Sequence, residues 1–222
     1  MDEPVQNDIS SASFEQFVTF LFEHEVLQIP RVRGEPEPWY WHVEVMYDPI
    51  RIAGCYIQLF TEPDFLLSRY AKDQLEQGFW AIQSCNLTCS VSKVIWDKRV
   101  PLDIRESCVR SMFHLFERLF AREPLETSAN MWWDSLAYDW YCENRARANG
   151  GEDLTMQDTM FETLSKILAL PSEDCQFAAL HGLSHLMHPD TAKLVEDYLG
   201  RSATMNDELR EYAQAASRFE LM

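Results

Sequence analysis

Three histidines and an aspartate in the last third of the chain share one face of a predicted helix, and two of the histidines have the spacing of a metal-binding pair. His181 and His185 are four residues apart, His188 follows three residues later, and Asp174 precedes them. At about 100° per residue of an α-helix, the four side chains fall within one narrow stripe. An i,i+4 pair of imidazoles brings both rings to one point, where they can hold a divalent metal ion.

Three features argue against a metal site. The spacing HxxxH lacks the glutamate that supplies the general base in HExxH motifs. Asp174 lies two helical turns from His181, too far to share an ion with His188. His188 also precedes Pro189 in a predicted helix-terminal turn, where a cationic side chain suits the helix dipole. The sequence therefore favours an exposed or groove-facing polar stripe and no cofactor. If a metal ion does bind, His181 and His185 are its candidate ligands.

The densest aromatic cluster is the segment MWWDSLAYDWYC, residues 131–142. Two consecutive helical residues point about 100° apart, so we expect one of the two adjacent tryptophans to face the surface or a groove. Core packing between helices is the favoured interpretation. The alternative is an aromatic groove that binds a partner protein, because exposed Trp and Tyr are preferred interface residues. The predicted partner-binding residues are Trp132, Trp133, Asp134, Tyr138 and Asp139.

Several helices are predicted around these residues. Ser172 is a predicted N-cap. Leu180, Leu183 and Met187 form the predicted apolar face, and Ala178 and Gly182 lie on the opposite side, where a second helix can approach closely. The predicted helices of the C-terminal third are 155–169, 172–187, 191–200 and 207–222.

Residues 156–199 resemble a HEAT-type repeat. They read as a helix, a short loop with Pro171, a helix containing AALHGL, and a His-Pro turn followed by another helix. HEAT-like folds are α-solenoids that mostly bind other proteins, so the resemblance implies a protein-binding surface. No segment before Asn149 repeats LHGLSHL, which favours an irregular arrangement over a regular array.

The remainder of the chain also has helical periodicity. Ser13 and Gln16 form a predicted capping box, and residues 41–47 alternate as in a strand that could pair with residues 86–96. The other predicted helices are 49–60, 65–84, 101–122 and 128–148. The predicted fold is all-α: an irregular helical bundle or α-α superhelix with HEAT-like C-terminal helix pairs and at most one short β-ribbon. We expect a single domain over residues 1–222, with a soft sub-boundary near 149–152 at the sequence Asn-Gly-Gly.

Charge and composition restrict the function. The 36 acidic and 19 basic residues give a formal net charge of −17, which disfavours nucleic acid and anionic membranes and permits a basic protein partner. No apolar run approaches the roughly 18 residues of a membrane span, and the N-terminus lacks a signal-peptide core. Six cysteines without a CxxC pair fit reduced thiols, so we expect a cytoplasmic protein.

The sequence contains no recognisable catalytic motif, which favours a function without catalysis. The leading hypothesis is a cytoplasmic protein–protein interaction or scaffold module. The first alternative is an acidic partner of a basic protein, of the immunity or inhibitor type. The second alternative is a helical metal-dependent enzyme that uses the histidine stripe.

Overall fold

The structure, a computed structural model, describes residues 5–27, 37–41, 43–201 and 205–221. Helices of all types account for 65% of these residues, and their one sheet has two strands. The predicted all-α fold with a single short β-ribbon is therefore confirmed. Among the described residues, no helix combines the length and the apolar character that a membrane crossing requires.

The chain divides into two compact units, Met1–Cys108 and Val109–Met222. The soft boundary predicted near 149–152 lies inside the second unit, where a 3-10 turn at Arg147–Asn149 meets the next helix. Gly150 and Gly151 have positive φ values of 66° and 52°, and Gly150 is the N-cap of that helix. The glycine pair thus marks a change of chain direction at a helix start.

The described residues of the first unit include five complete α-helices, a 3-10 turn at Trp39–Trp41 and the two-stranded sheet. The helices are α1 (Phe14–Phe22), α2 (Pro49–Thr61), α3 (Asp64–Arg69), α4 (Lys72–Gln83) and α5 (Val91–Ile95). The predicted capping box is confirmed: the Ser13 side chain accepts the N–H of Gln16, and the Gln16 side chain accepts the N–H of Ser13. The helix predicted over 65–84 is interrupted at Tyr70, where the backbone becomes extended.

The sheet pairs β1 (Val5–Asp8) in parallel with β2 (Val43–Met46). The strand prediction over 41–47 is therefore confirmed for β2, whereas the partner predicted at 86–96 is wrong. Buried residues at 91, 94 and 95 follow helical spacing and form α5 instead. Beside β2, the Thr88 hydroxyl accepts the N–H of Val45 at 3.0 Å. A side chain thus makes the hydrogen bond that the backbone of the predicted partner strand was expected to make.

Most of the helical residues of the second unit surround one central helix. Helix α6 (Leu102–Leu115) runs into this unit and continues as a π-helical turn at Phe116–Phe120. It is followed by α7 (Asp134–Tyr141), α8 (Gly151–Leu168), α9 (Glu173–Leu186), α10 (Thr191–Arg201) and α11 (Asp207–Ser217). Helix α9 packs against α7, α8 and α11, and every residue from Ala178 to Leu186 is buried. A helix buried on all sides can hold polar side chains away from water, which makes α9 the element that positions the candidate site.

Candidate metal centre

Two histidines of helix α9 face α7, and two small residues lie on the same side of α9. Ala178, His181, Gly182 and His185 fall within about 100° of one another around the helix axis. The Ser172 side chain caps the first turn of α9, as predicted. The sequence pattern therefore places the histidine pair on the face of α9 that carries small residues, where another segment can pack closely.

Gly182 determines how closely the chain at the start of α7 approaches α9. A Cβ atom at this position would lie 2.7 Å from Cβ and Cγ of Trp133 and 2.8 Å from Cδ2 of Leu164. These distances are too short for any side chain, so the predicted close approach at Gly182 is confirmed. Trp133 is followed directly by Asp134, the first residue of α7. The contact at Gly182 thus brings the Asp134 carboxylate beside the neighbouring His181.

Three potential ligand atoms converge at this point. Oδ1 of Asp134 lies 2.8 Å from Nε2 of His181 and 3.6 Å from Nε2 of His185, and the two Nε2 atoms are 3.0 Å apart. A triangle with these sides has a circumradius of about 1.9 Å, so a metal ion at the usual distance of about 2.0–2.1 Å would sit just outside its plane. In the described part of the chain, this is the one group of three or more His, Cys, Asp or Glu residues whose ligand atoms all lie within 4.8 Å of one another.

The cluster is buried on the histidine side and reaches solvent on the carboxylate side. The side chains of His181 and His185 are only 4% and 2% exposed, whereas that of Asp134 is 32% exposed. The rings of Tyr138 and Tyr141 pack edge-on against His185, with centroid distances of 5.1 and 5.6 Å. Tyr138 is itself 44% exposed. A small ion could therefore reach the site past Asp134 and Tyr138.

The cluster does not satisfy its own hydrogen-bonding capacity. A neutral imidazole carries one N–H, and only one proton can lie between the facing Nε2 atoms of His181 and His185. Oδ1 of Asp134 is close to His181 but makes no hydrogen bond of acceptable geometry, and Nδ1 of His185 is buried without a partner. Buried polar atoms are rarely left in this condition, and each such exception in a folded protein calls for an explanation.

Electrostatics keep the ring of His185 in the form that binds metals. Burial lowers the pKa of His185, and a charge on neighbouring His181 would lower it further, while Asp134 opposes both effects. His185 is therefore neutral at pH 7, with a lone pair free for coordination. The Tyr212 hydroxyl of α11 lies 2.9 Å from Nδ1 of His181, and burial raises the pKa of Tyr212 to about 12. Tyr212 is thus a neutral phenol.

The predicted aromatic anchors lie in the core. Trp132 and Trp133 are both fully buried, so the expectation that one of them faces the surface is wrong. The physical reason is that both precede α7 and belong to a turn, where the rule of about 100° between neighbouring residues does not apply. Trp132 donates its N–H to the sulfur of Met112 at 3.3 Å. The tryptophans therefore pack in the protein core. They are not available to contact a partner in the predicted aromatic groove.

The other predicted contact residues have different surroundings. Asp134 belongs to the candidate centre, Tyr138 is exposed beside it, and Asp139 pairs with Arg145 at 3.1 Å. A single partner-binding surface is not supported by these surroundings.

The predicted histidine stripe is only partly correct. Helix α9 ends at Leu186, and Met187 adopts the left-handed conformation with φ 51° and ψ 36°. This change of direction takes His188 off the stripe and places its Nε2 3.0 Å from Asp158. Asp174 is not part of the three-residue cluster and lines a pocket together with Phe120 and Tyr212.

The carboxylate ligand was not predicted from the sequence. Asp134 was singled out as an interface residue, and no local pattern connects it to His181. Gly182 was the available signal, because a glycine beside the histidines indicates that another segment approaches that face.

Comparison with known proteins provides no relative from which a function could be transferred. No protein-family model, no curated protein and no solved structure matches the chain. The assignment of this site therefore depends on its own geometry and on the chemistry of its donor atoms.

Proposed function

We propose that this protein binds a divalent transition metal ion through Asp134, His181 and His185, as in the centre of a metal-dependent enzyme. The observation that carries the proposal is the convergence of Oδ1 and two Nε2 atoms within 3.6 Å of one another. One cation would satisfy all three lone pairs, which the available protons cannot do. The proposal replaces the polar-stripe interpretation favoured by the sequence.

The donor set restricts the identity of the metal. Imidazole nitrogen suits zinc, iron, copper and nickel, and a carboxylate oxygen is compatible with each of them. Two histidines and one carboxylate are found both in catalytic zinc sites and in non-haem iron(II) sites. Calcium and magnesium are disfavoured because they prefer all-oxygen surroundings. We therefore expect Zn²⁺ or Fe²⁺, and metal analysis of the purified protein distinguishes them.

Three protein ligands leave at least one coordination position for water or substrate. Structural zinc sites are normally closed by four protein ligands, whereas catalytic sites keep a position open. When bound, such a metal lowers the pKa of its water to about 7 and supplies a nucleophile at neutral pH. The partial exposure of Asp134 would give water or substrate access to such a metal. A metal-dependent hydrolytic reaction is therefore the activity class that we propose.

The two interpretations based on protein binding receive less support. The scaffold hypothesis relied on helical-repeat character, aromatic density and the lack of a catalytic motif. It stays a prediction, although its two candidate anchors, Trp132 and Trp133, are both buried. The acidic-partner hypothesis relies on the net charge of −17 and stays a prediction. The resemblance to HEAT repeats likewise stays a prediction about fold and carries no information about the metal centre.

Calorimetric titration of untagged, chelator-treated protein with Zn²⁺ tests the proposal. We expect one ion per chain in the wild type and at least a hundredfold weaker binding in His181→Ala, because even outer-sphere changes weaken metal binding by about 10–100-fold. His114→Ala is the matched control, since His114 lies in the same unit, is exposed and is not one of the three proposed ligands. Absence of saturable binding in the wild type, or equal weakening by both substitutions, would contradict the proposal.

Substitution of Co²⁺ for Zn²⁺ provides an independent view of the ligands. The visible absorption of Co²⁺ depends on its coordination number and geometry. We expect a spectrum of four- or five-coordinate Co²⁺ with nitrogen and oxygen donors in the wild type. Asp134→Ala should change this spectrum, whereas Asp139→Ala should leave it unchanged.

A further inference from the structure

We infer that Tyr212 is the positioning residue that holds His181 in the tautomer required for metal binding. The inference rests on the proposed metal site and assigns an outer-sphere role to a residue that is not a ligand. Its starting observation is the distance of 2.9 Å between the Tyr212 hydroxyl and Nδ1 of His181. The other ring nitrogen of His181 is the one that faces Asp134 and His185.

The chemistry of imidazole makes this contact selective. A neutral ring carries one proton, so coordination through Nε2 requires that the proton be on Nδ1. The Nδ1–H group of His181 then needs an acceptor, and the Tyr212 oxygen is within hydrogen-bond distance. Histidine ligands usually donate their second N–H to an oxygen in this way, which fixes the ring orientation and raises the basicity of the coordinating nitrogen.

A tyrosine hydroxyl has a further property that a carboxylate lacks. It can accept a hydrogen bond from Nδ1–H, and it can also donate one to an unprotonated Nδ1. The same residue therefore satisfies His181 both before and after a metal binds. If the ring starts with its proton on Nε2, that proton would pass to solvent and Nδ1 would take one up from solvent, so His181 and Tyr212 would both stay neutral.

The surroundings of Tyr212 keep the hydroxyl in place. Its ring packs edge-on against Phe177 of α9, with centroids 5.1 Å apart and an interplanar angle of 70°. Tyr212 belongs to α11, which packs against both α9 and α10. His185 has no equivalent, because its Nδ1 atom has no hydrogen-bond partner among the described residues. The two histidines are therefore unequal, and His181 is the one that the protein orients before metal binding.

Tyr198 provides a matched control within the same unit. Its hydroxyl lies 2.8 Å from Oε1 of Gln176, so it also bonds to a side chain of α9. Burial raises the pKa of Tyr198 to about 12, as it does for Tyr212. The substitutions Tyr212→Phe and Tyr198→Phe therefore remove similar hydrogen bonds at similar burial, and only the first removes a partner of a proposed ligand.

Calorimetric titration of the full chain with Zn²⁺ alone tests the inference. Tyr212→Phe should weaken binding by about 10–100-fold, whereas Tyr198→Phe should leave the affinity within about threefold of the wild type. Equal affinities in the two variants would overturn the inference while leaving the metal site intact. A wild type that binds no Zn²⁺ would overturn the proposed function and the inference with it.

Nitrogen NMR of the imidazole rings adds a measurement that a merely structural role would not change. In the Zn²⁺-loaded wild type and in Tyr198→Phe, we expect His181 to be protonated at Nδ1 alone. In metal-free Tyr212→Phe, the His181 signals should shift relative to the wild type, since the hydrogen bond to Nδ1 is gone. Identical His181 signals in metal-free wild type and Tyr212→Phe would overturn the inference.

Discussion

Among the described residues, two clusters combine buried histidine with a partly exposed aspartate, and they have opposite properties. His188 is as buried as His181, and its Nε2 lies 3.0 Å from Asp158. The backbone N–H of Asp190 donates to Nδ1 of His188 at 3.1 Å, and the His188 ring stacks on Phe161 with centroids 3.9 Å apart. Both nitrogens of His188 therefore have partners, and the arrangement needs no ligand.

The cluster of Asp134, His181 and His185, in contrast, lacks hydrogen-bond partners for some of its buried atoms. One carboxylate oxygen and one ring nitrogen are buried without hydrogen bonds, although residue types and burial are the same as at His188. Burial and composition thus do not separate a structural histidine from a metal ligand. Under the proposed function, the number of lone pairs without a proton partner is what distinguishes the two clusters.

The largest expected effect compares the two histidines directly. His185→Ala should weaken Zn²⁺ binding by more than about a hundredfold, because a direct ligand contributes more than the outer-sphere residues whose loss costs about 10–100-fold. His188→Ala should leave the affinity within a few-fold but lower the free energy of unfolding by about 1–3 kcal/mol, since Asp158 and the Asp190 N–H lose a buried partner. Calorimetry and urea denaturation measure the two quantities.

Exchanged effects of the two substitutions would contradict this expectation. Loss of metal binding in His188→Ala with no loss in His185→Ala would place the metal at Asp158. Circular dichroism of both variants, recorded before titration, confirms that each is folded.

A second, intermediate effect concerns the packing that assembles the centre. Gly182→Ala should lower the free energy of unfolding by about 1–3 kcal/mol, because the added methyl group overlaps Trp133 and Leu164. Gly200→Ala in α10 is the control: no atom lies within 4 Å of the added Cβ, and alanine favours a helix by up to about 1 kcal/mol over glycine. Urea denaturation of both variants measures the difference.

The Zn²⁺ affinity of the same glycine variants tests whether the contact at Gly182 positions Asp134. Gly182→Ala should also weaken Zn²⁺ binding, since it displaces the chain at Trp133 and with it Asp134. A Gly182→Ala protein as stable and as metal-competent as the wild type would show that the contact does not position the carboxylate.

The smallest expected effect is on the pH dependence of stability. The pKa of His185 is lowered in the folded protein, so the unfolded chain binds a proton first as the pH falls below about 6.5. Stability is therefore complete above this pH and decreases as the pH falls toward the folded pKa, by at most about 1.4 kcal/mol between pH 6.5 and 5.5. The groups facing the ring are His181 of α9 and Asp134, Tyr138 and Tyr141 of α7.

Urea denaturation of metal-free protein at pH 7.5 and 5.5 measures this difference. His185→Gln should reduce it, because glutamine does not titrate. An equally steep pH dependence in His185→Gln would assign the effect to other groups.

Local patterns in the sequence predict most of the helices, whereas tertiary packing determines which residues come together in the candidate site. The helix at 172–187, its cap at Ser172 and the shared face of His181 and His185 follow from spacing alone. The proposed third ligand, Asp134, depends on a tertiary contact between distant segments, which no periodicity encodes. The burial of both tryptophans was mispredicted because a turn was interpreted as a helix, and the strand partner because short apolar runs fit helix and strand equally well.

Gly182 also gives the protein a recognisable signature for tracing its relatives. No substitution of this residue avoids a Cβ atom, so a lineage that keeps the centre must keep the glycine while its surface diverges. We expect such relatives to retain the pattern Ala-x-x-His-Gly-x-x-His of residues 178–185 together with an upstream Trp-Asp pair equivalent to residues 133–134. A search for these two short patterns in helical proteins would find distant members of the lineage by the geometry that they must preserve.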